Sequence, residues 1–298
     1  MTSVARANLN GLLAILFWSS TALLFTFCDT FPPFMLAALT SLTGFFVFFV
    51  KWLLFREDIR AHFAIPWWVI VFCVVGIGGY RALYFFSLGT VPVVEASLIN
   101  YLWPVLVVVF SSFLKDSGFR PHHLVGALAG FSGVVILLSR PDQLFGDVAF
   151  GHILALFAAV IWAGYSVLTR FVPSYTGNTV PVSFLFSGLI LFAISLSTER
   201  FDYVDWGQTP FVLLMGVVAS LGYFLWDSAM KKGHIQILGV ASYFTPLIST
   251  FLLIAFAKAM ATAGILFATM LIVIGPLIAS KEKVVAGYNE LNRLLRRR

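Results

Sequence analysis

Two short stretches of the chain place a tyrosine three residues before a proline, and each lies inside an apolar run: SLINYLWPV and GVASYFTPL. Helical spacing puts the polar, aromatic and proline positions of each stretch on one face: Ser97, Asn100, Tyr101 and Pro104, then Gly239, Ser242, Tyr243 and Pro246. A proline frees a carbonyl one turn earlier, which lipid cannot satisfy but a cavity or a neighbouring helix can. The pattern favours a gated cavity wall, although prolines that only kink their helices fit equally well.

A wall of this kind suits recognition of a small organic molecule. Aromatic faces stack on an aromatic side chain and attract an ammonium group. Hydrogen bonds that orient a zwitterion would come from Ser97, Asn100, Ser166 and Ser242. The chain has neither an HExxH motif nor a gathered nucleophile, acid and base, so we expect no metal, no cofactor and no enzymatic activity. A lipid-modifying enzyme and a scramblase are the alternatives of a different class.

The elements that carry these residues are membrane spans. Hydrophobic residues make up 60% of the 298 residues and charged residues only 11%, which is too little polar surface for a soluble globule. Ten runs are long enough to cross a bilayer as helices, at about 8–28, 33–54, 65–88, 91–114, 122–139, 150–171, 181–197, 208–231, 235–256 and 260–279. The sequence therefore predicts an all-α polytopic membrane protein with ten transmembrane helices.

Basic residues orient these predicted spans. Fifteen of the nineteen lie in the segments that share a side with the termini, against three on the other side: Arg140, Arg200 and Lys258. The positive-inside rule then predicts that both termini are cytoplasmic. The net charge of +6 is mostly topogenic, so no nucleic-acid partner is expected. The basic tail at 281–298 is expected to be a cytoplasmic flank, with binding to anionic lipid headgroups as the alternative.

Ionisable residues inside predicted spans are costly and need partners. Arg81 and Glu95 flank the connection between the third and fourth spans, and we expect them to pair and hold that hairpin. Asp227 precedes Lys231 by one helical turn, so an ion pair is expected there, with a proton-coupling carboxylate as the alternative. The glycines of GIGGY at 76–80 are expected to serve close helix packing and not nucleotide binding.

The two halves of the chain repeat one pattern. Three features recur in corresponding spans: Trp18 and Trp162, Gly79-Tyr80 and Gly222-Tyr223, and the two tyrosine-proline motifs. Because each half has five predicted spans, the second half must enter the membrane from the opposite face, which makes a five-plus-five inverted repeat. We expect repeats at 1–140 and 141–280. Such repeats open a shared cavity alternately to either side, and the substrate lies near the midplane between them.

The ten spans, the duplication and these motifs resemble the EamA-type branch of the drug/metabolite transporter superfamily over about residues 8–280. Within it, the aromatic positions resemble the YddG-type aromatic amino acid exporters, on Trp18, Tyr80, Tyr84, Tyr101, Trp103, Trp162 and Tyr165. The resemblance implies export of aromatic and other neutral amino acids through the bacterial inner membrane, or of bulky organic cations as the alternative. Substrate and lipid are then the partners, for a monomer or a homodimer.

Overall fold

A computed structural model describes residues 3–112, 148–172, 179–232, 241–242 and 244–279, with isolated positions 121, 125, 128, 129, 132, 133 and 136 between the first two ranges. Helices are the only regular elements in these residues. This agrees with the prediction of an all-α membrane protein, because a helix satisfies every backbone polar group within its own segment.

The described helices are numbered here in chain order. The first half has α1 (Ser3–Phe25), α2 (Pro33–Leu54), the short α3 (Ile59–Phe63), α4 (Trp67–Cys73), a π-helical segment (Val74–Gly79), α5 (Tyr80–Thr90), α6 (Val93–Asn100) and α7 (Trp103–Ser112). The second half has α8 (Phe150–Leu168), α9 (Thr179–Thr198), α10 (Thr209–Lys232), α11 (Phe244–Ala255) and α12 (Ala263–Ala279), with 3-10 turns at Thr169–Phe171 and Trp206–Gln208.

Six of these segments are long and apolar enough to cross a membrane: Ala5–Phe25, Pro33–Leu54, Trp67–Thr90, Phe150–Leu168, Thr179–Thr198 and Trp206–Trp226. Shorter apolar helices lie at Val93–Leu106, Phe244–Ala255 and Ala263–Gly275. Most of the predicted fifth span, 122–139, and the tail at 281–298 lie outside the described residues. The total of ten spans and the location of the termini therefore stay predictions.

The fourth predicted span is broken in the middle. Helix α6 ends at Asn100, Tyr101 and Leu102 form a turn, and α7 begins at Trp103. Pro104 is the second residue of α7, and its ring would clash with the Asn100 carbonyl in a continuous helix. Pro246 likewise lies in the first turn of α11, where a missing N–H costs no helical hydrogen bond.

Three groups of helices pack around the centre. Helix α1 runs along α10 and α11, α2 along α9 and α10, and α8 along α5, α6 and α7. Close approach depends on small residues, since a Cβ added to Gly76 would overlap Tyr165, and one added to Gly78 would overlap Ser187. The expected packing role is confirmed for Gly76 and Gly78, whereas a Cβ added to Gly79 would meet nothing within 4 Å.

Polar contacts join the two halves of the chain at one end of the bundle. The Glu199 carboxylate, just after α9, accepts hydrogen bonds from the backbone amides of Phe34 at 2.7 Å and Met35 at 2.9 Å. The Gln208 side-chain oxygen accepts from the Thr30 hydroxyl at 2.9 Å. These contacts lie at the end that the charge distribution predicts to be extracytoplasmic, and they are called the outer contacts below.

Candidate functional site

A cavity lies at the centre of the bundle, where the helices of both halves meet. Its empty space amounts to about 540 Å³, part of which is open to the outside. Its walls come from α1, the π–α5 junction, α6 and α7, α8, α10 and α11, through Trp18, Thr21, Tyr80, Arg81, Tyr84, Phe85, Asn100, Tyr101, Trp103, Trp162, Ala219, Tyr223 and Thr245.

Trp162 is the centre of the aromatic wall. Its ring centroid lies 5.3 Å from those of Tyr80 and Tyr223, 5.9 Å from that of Trp18 and 6.4 Å from that of Trp103. Most of these ring pairs meet edge to face, which is a favourable arrangement for aromatic quadrupoles. Because the rings come from helices of both halves, the wall crosses the boundary between the predicted repeats.

Trp18 approaches α10 at a glycine. A Cβ added to Gly222 would lie 2.6 Å from the Trp18 indole nitrogen, so only glycine leaves room for this ring position. The Trp18 Nε1 atom is buried and has no hydrogen-bond partner among the described residues. The indole N–H of Trp18, a lining residue, can therefore donate a hydrogen bond to a ligand in the cavity.

Other lining residues also carry polar atoms without a partner in the part of the chain that the structure describes. They are Arg81 Nε, Asn100 Oδ1 and Thr245 Oγ1. Asn100 uses its amide nitrogen to donate to the Tyr80 hydroxyl at 3.2 Å, which orients the side chain. Unsatisfied buried polar atoms are costly, so a group of them around one cavity indicates a place for a polar ligand or water.

Ser97 acts behind the wall and not in it. Its hydroxyl is buried and lies 3.1 Å from the Tyr84 hydroxyl, and Tyr84 lines the cavity. Tyr84 in turn stacks on Tyr80 with a centroid separation of 5.8 Å. Ser97 therefore positions two rings of the wall.

The structure brings seven of the twelve predicted binding residues to the cavity: Trp18, Tyr80, Tyr84, Asn100, Tyr101, Trp103 and Trp162. Tyr165 stacks on Trp162 at 5.6 Å and on Phe72 at 5.1 Å, behind the wall. The Ser166 hydroxyl donates to the Trp162 carbonyl of its own helix. Ser242 is buried but does not line the cavity, and Tyr243 lies outside the described residues.

The expected pair of Arg81 and Glu95 is wrong. The Glu95 carboxylate lies 2.9 Å from His152 Nε2, at the start of α8. Arg81 points into the bundle and donates to the Thr40 hydroxyl. The physical reason is distance along the hairpin: Arg81 is the second residue of α5, about 13 Å of helix before Thr90, whereas Glu95 lies in the first turn of α6. The side chain of Asp227 lies outside the described residues, so its pairing with Lys231 stays a prediction.

Sequence reasoning missed several lining residues. The sequence indicates Tyr223 only as the repeat counterpart of Tyr80, and Thr245 lies between the tyrosine and the proline of the second motif. The missed signal for Arg81 was its position directly after Tyr80 in an otherwise uncharged span. Thr21, Phe85 and Ala219 are ordinary span residues that carried no signal.

Comparison with known proteins places this architecture in a family. The EamA-like transporter family matches the chain twice, over residues 5–139 and 149–281. The chain belongs to that family. It is accordingly a membrane transporter and not an enzyme.

Relatives of this EamA-family protein include aromatic amino acid exporters. The protein named "Aromatic amino acid exporter YddG" from Ancylobacter novellus is 34% identical over 93% of this chain and 98% of its own length. The protein of the same name from Escherichia coli is 28% identical over 82% of this chain and 86% of its own length. A crystal structure of a protein that is 33% identical superposes with a TM-score of 0.74, over 93% of this chain and 98% of that one.

Proposed function

We propose that this EamA-family protein exports aromatic and other neutral amino acids from the cytoplasm, with broad specificity, through the central aromatic cavity. The names of the Ancylobacter and Escherichia relatives support the substrate class. The observation that carries the proposal is the cavity itself, where polar atoms without a partner among the described residues lie beside six aromatic rings of the predicted set: Trp18, Tyr80, Tyr84, Tyr101, Trp103 and Trp162.

The cavity offers complementary chemistry to both parts of an amino acid. The rings around Trp162 give an aromatic side chain faces and edges to pack against. The Asn100 Oδ1 atom is an acceptor that an ammonium group would satisfy. Much of the wall is apolar and aromatic, so neutral side chains of different shapes fit by packing, which accounts for broad specificity.

Transport would follow from alternating access between inverted repeats. Two observations support this. The family match occurs once in each half, and contacts made by helices of one half have counterparts made by the corresponding helices of the other half. Helix α1 packs on α10 as α8 packs on α5, and α1 packs on α11 as α8 packs on α6 and α7. Exchange of these paired contacts would open the cavity to opposite sides in turn.

The proposal also includes the membrane in which the protein lies and the direction of transport. A multi-pass protein of the bacterial inner membrane with both termini cytoplasmic, as the basic residues predict, would take up its substrate from the cytoplasm. The outer contacts of Glu199 and Gln208 would then close the cavity on the extracytoplasmic side.

Counterflow tests the proposal. Purified protein is reconstituted in liposomes loaded with unlabelled tryptophan, and the uptake of labelled tryptophan is measured with and without an imposed pH gradient. We expect transient accumulation above the level of protein-free liposomes. Accumulation driven by the gradient alone would add proton coupling to the proposal, whereas no accumulation under either condition would contradict it.

The alternative of an organic-cation exporter is less favoured by the same cavity. Arg81 lines it, and a fixed positive charge repels a ligand that carries only positive charge. Counterflow with a labelled quaternary amine in place of tryptophan distinguishes the two functions.

A further inference from the structure

Arg81 places a full positive charge in the wall of the central cavity. The residue is 2% exposed, and its guanidinium lies 5.3 Å from the centroid of Phe85 and 5.5 Å from that of Phe184. Guanidinium groups keep their proton under all ordinary conditions, so this charge is permanent.

No carboxylate pairs with Arg81 among the side chains that the structure describes. Nη2 donates to the Thr40 hydroxyl, while Nε is buried and makes no hydrogen bond with a described residue. A buried charge without a counter-charge is strongly unfavourable, and an ionisable residue inside a span commonly marks a substrate path. Among the described residues, the donor without an acceptor and the charge without a counter-charge both point to an anionic ligand.

Thr40 holds the guanidinium in this position. Its hydroxyl donates its single proton to the Leu36 carbonyl of its own helix at 2.7 Å. The oxygen lone pairs then remain free to accept from Arg81. One arm of the guanidinium is thereby tied to α2, while Nε has no acceptor among the described residues.

We propose that Arg81 binds the carboxylate of the transported molecule, so that the cavity selects aromatic compounds with a carboxylate and disfavours aromatic compounds with only an ammonium group. The inference rests on the proposed export function and names the chemistry that its substrates must share. Arg81 supplies the counter-charge, Thr40 positions it, and the rings around Trp162 receive the aromatic part. A carboxylate without an ammonium group is sufficient for recognition.

Competition binding tests this selectivity on the full-length protein in detergent. Labelled tryptophan is displaced by unlabelled tryptophan, by N-acetyltryptophan, which keeps the carboxylate but has no ammonium group, and by tryptamine, which keeps only the ammonium group. We expect N-acetyltryptophan to compete within about 10-fold of tryptophan, and tryptamine to be about 10- to 100-fold weaker, the range of one charge-assisted hydrogen bond.

Variants of the same protein assign the effect to the residue. Arg81→Gln is expected to bind N-acetyltryptophan about 10- to 100-fold more weakly and to lose the preference over tryptamine. Arg81→Lys keeps the charge and should keep the preference, and Thr40→Val should weaken carboxylate binding less than Arg81→Gln does. Lys258→Gln is the matched control, because Lys258 lies over Phe27, away from the lining residues, and should change nothing.

The outcomes separate the two proposals. Tryptamine that competes as well as tryptophan in the unmodified protein, or an Arg81→Gln variant with unchanged preference, overturns the role of Arg81 and leaves the export function standing. If Arg81→Gln does not yield folded protein, the ligand series on the unmodified protein and on Arg81→Lys decides. Absence of any tryptophan binding overturns both proposals.

Discussion

The indole of Trp18 and the backbone of Gly222 are in contact, and a Cβ on Gly222 would lie 2.6 Å from Trp18 Nε1. Trp18 belongs to the first predicted repeat and Gly222 to the second. This contact therefore sets where the aromatic wall of one half stands relative to a helix of the other.

Gly222→Ala should displace the Trp18 ring from the cavity wall. We expect tryptophan counterflow to fall severalfold. The free energy of unfolding of the purified protein should drop by about 1–3 kcal/mol, the usual cost of overpacking. Gly79→Ala is the matched control, because Gly79 holds the corresponding place in the first repeat and a Cβ there meets nothing within 4 Å. Equal effects of the two variants would contradict the assigned role of the Trp18 contact.

Trp162→Ala is expected to reduce both transport and stability. The side chain is 5% exposed and contacts five aromatic rings, and removal of a buried tryptophan costs about 3–5 kcal/mol in soluble cores. Trp162→Phe should restore the melting temperature while tryptophan counterflow stays below normal.

Trp67→Ala is the control for that pair. Trp67 is 75% exposed, so neither stability nor counterflow should change. Normal counterflow in Trp162→Ala would assign this ring to packing alone.

Glu199→Ala should loosen the outer contacts. It removes the acceptor of both the Phe34 and the Met35 amides, and the loss of hydrogen bonds to a carboxylate should make outward opening about 10-fold more frequent or greater. The native thiol of Cys28 reports this opening. Burial, with a smaller contribution from Asp29, raises its pKa to about 12, so the closed form reacts slowly with maleimide at neutral pH.

The measurement is the rate at which a membrane-impermeant maleimide labels Cys28 from outside, in a Cys73→Ser background. Glu57→Ala serves as the control, since Glu57 bonds Lys51 within the same half of the chain. An unchanged labelling rate in Glu199→Ala would show that the Glu199 contacts do not limit outward opening.

Reporter fusions at the two ends of the chain test the predicted topology. Fifteen of nineteen basic residues lie on the side that the termini share in the ten-span prediction, with three on the other side. Both reporters should therefore read as cytoplasmic. Opposite locations would mean that the number of spans is odd.

The sequence was sufficient for what depends on helix length and on local motifs. The bounds of α2, 33–54, were predicted to the residue, because an apolar run between a proline pair and charged residues leaves little choice. Recurrence in the two halves indicated Trp18, Tyr80, Tyr101 and Trp162, which line the cavity, whereas Tyr84 and Trp103 were implied only by the family resemblance.

The sequence was not sufficient where the direction of a side chain depends on the tertiary structure. Arg81 and Glu95 are matched by charge, yet Arg81 lies at the far end of α5 and donates to Thr40, while α8 brings His152 to Glu95. Ser97 shares a helical face with Asn100, but its hydroxyl lies beside that of Tyr84 and it does not line the cavity. Neither outcome follows from spacing along one helix.

The π-helical segment Val74–Gly79 ends immediately before Tyr80, Arg81 and Tyr84. A π turn holds one residue more than an α turn, so its conversion to α-helix would shift the register of one flank by a single residue. That shift is a rotation of about 100° about the helix axis. This rotation would turn Arg81 and the phenol rings of Tyr80 and Tyr84 away from the centre together. The cavity would then lose its positive charge without any helix tilting.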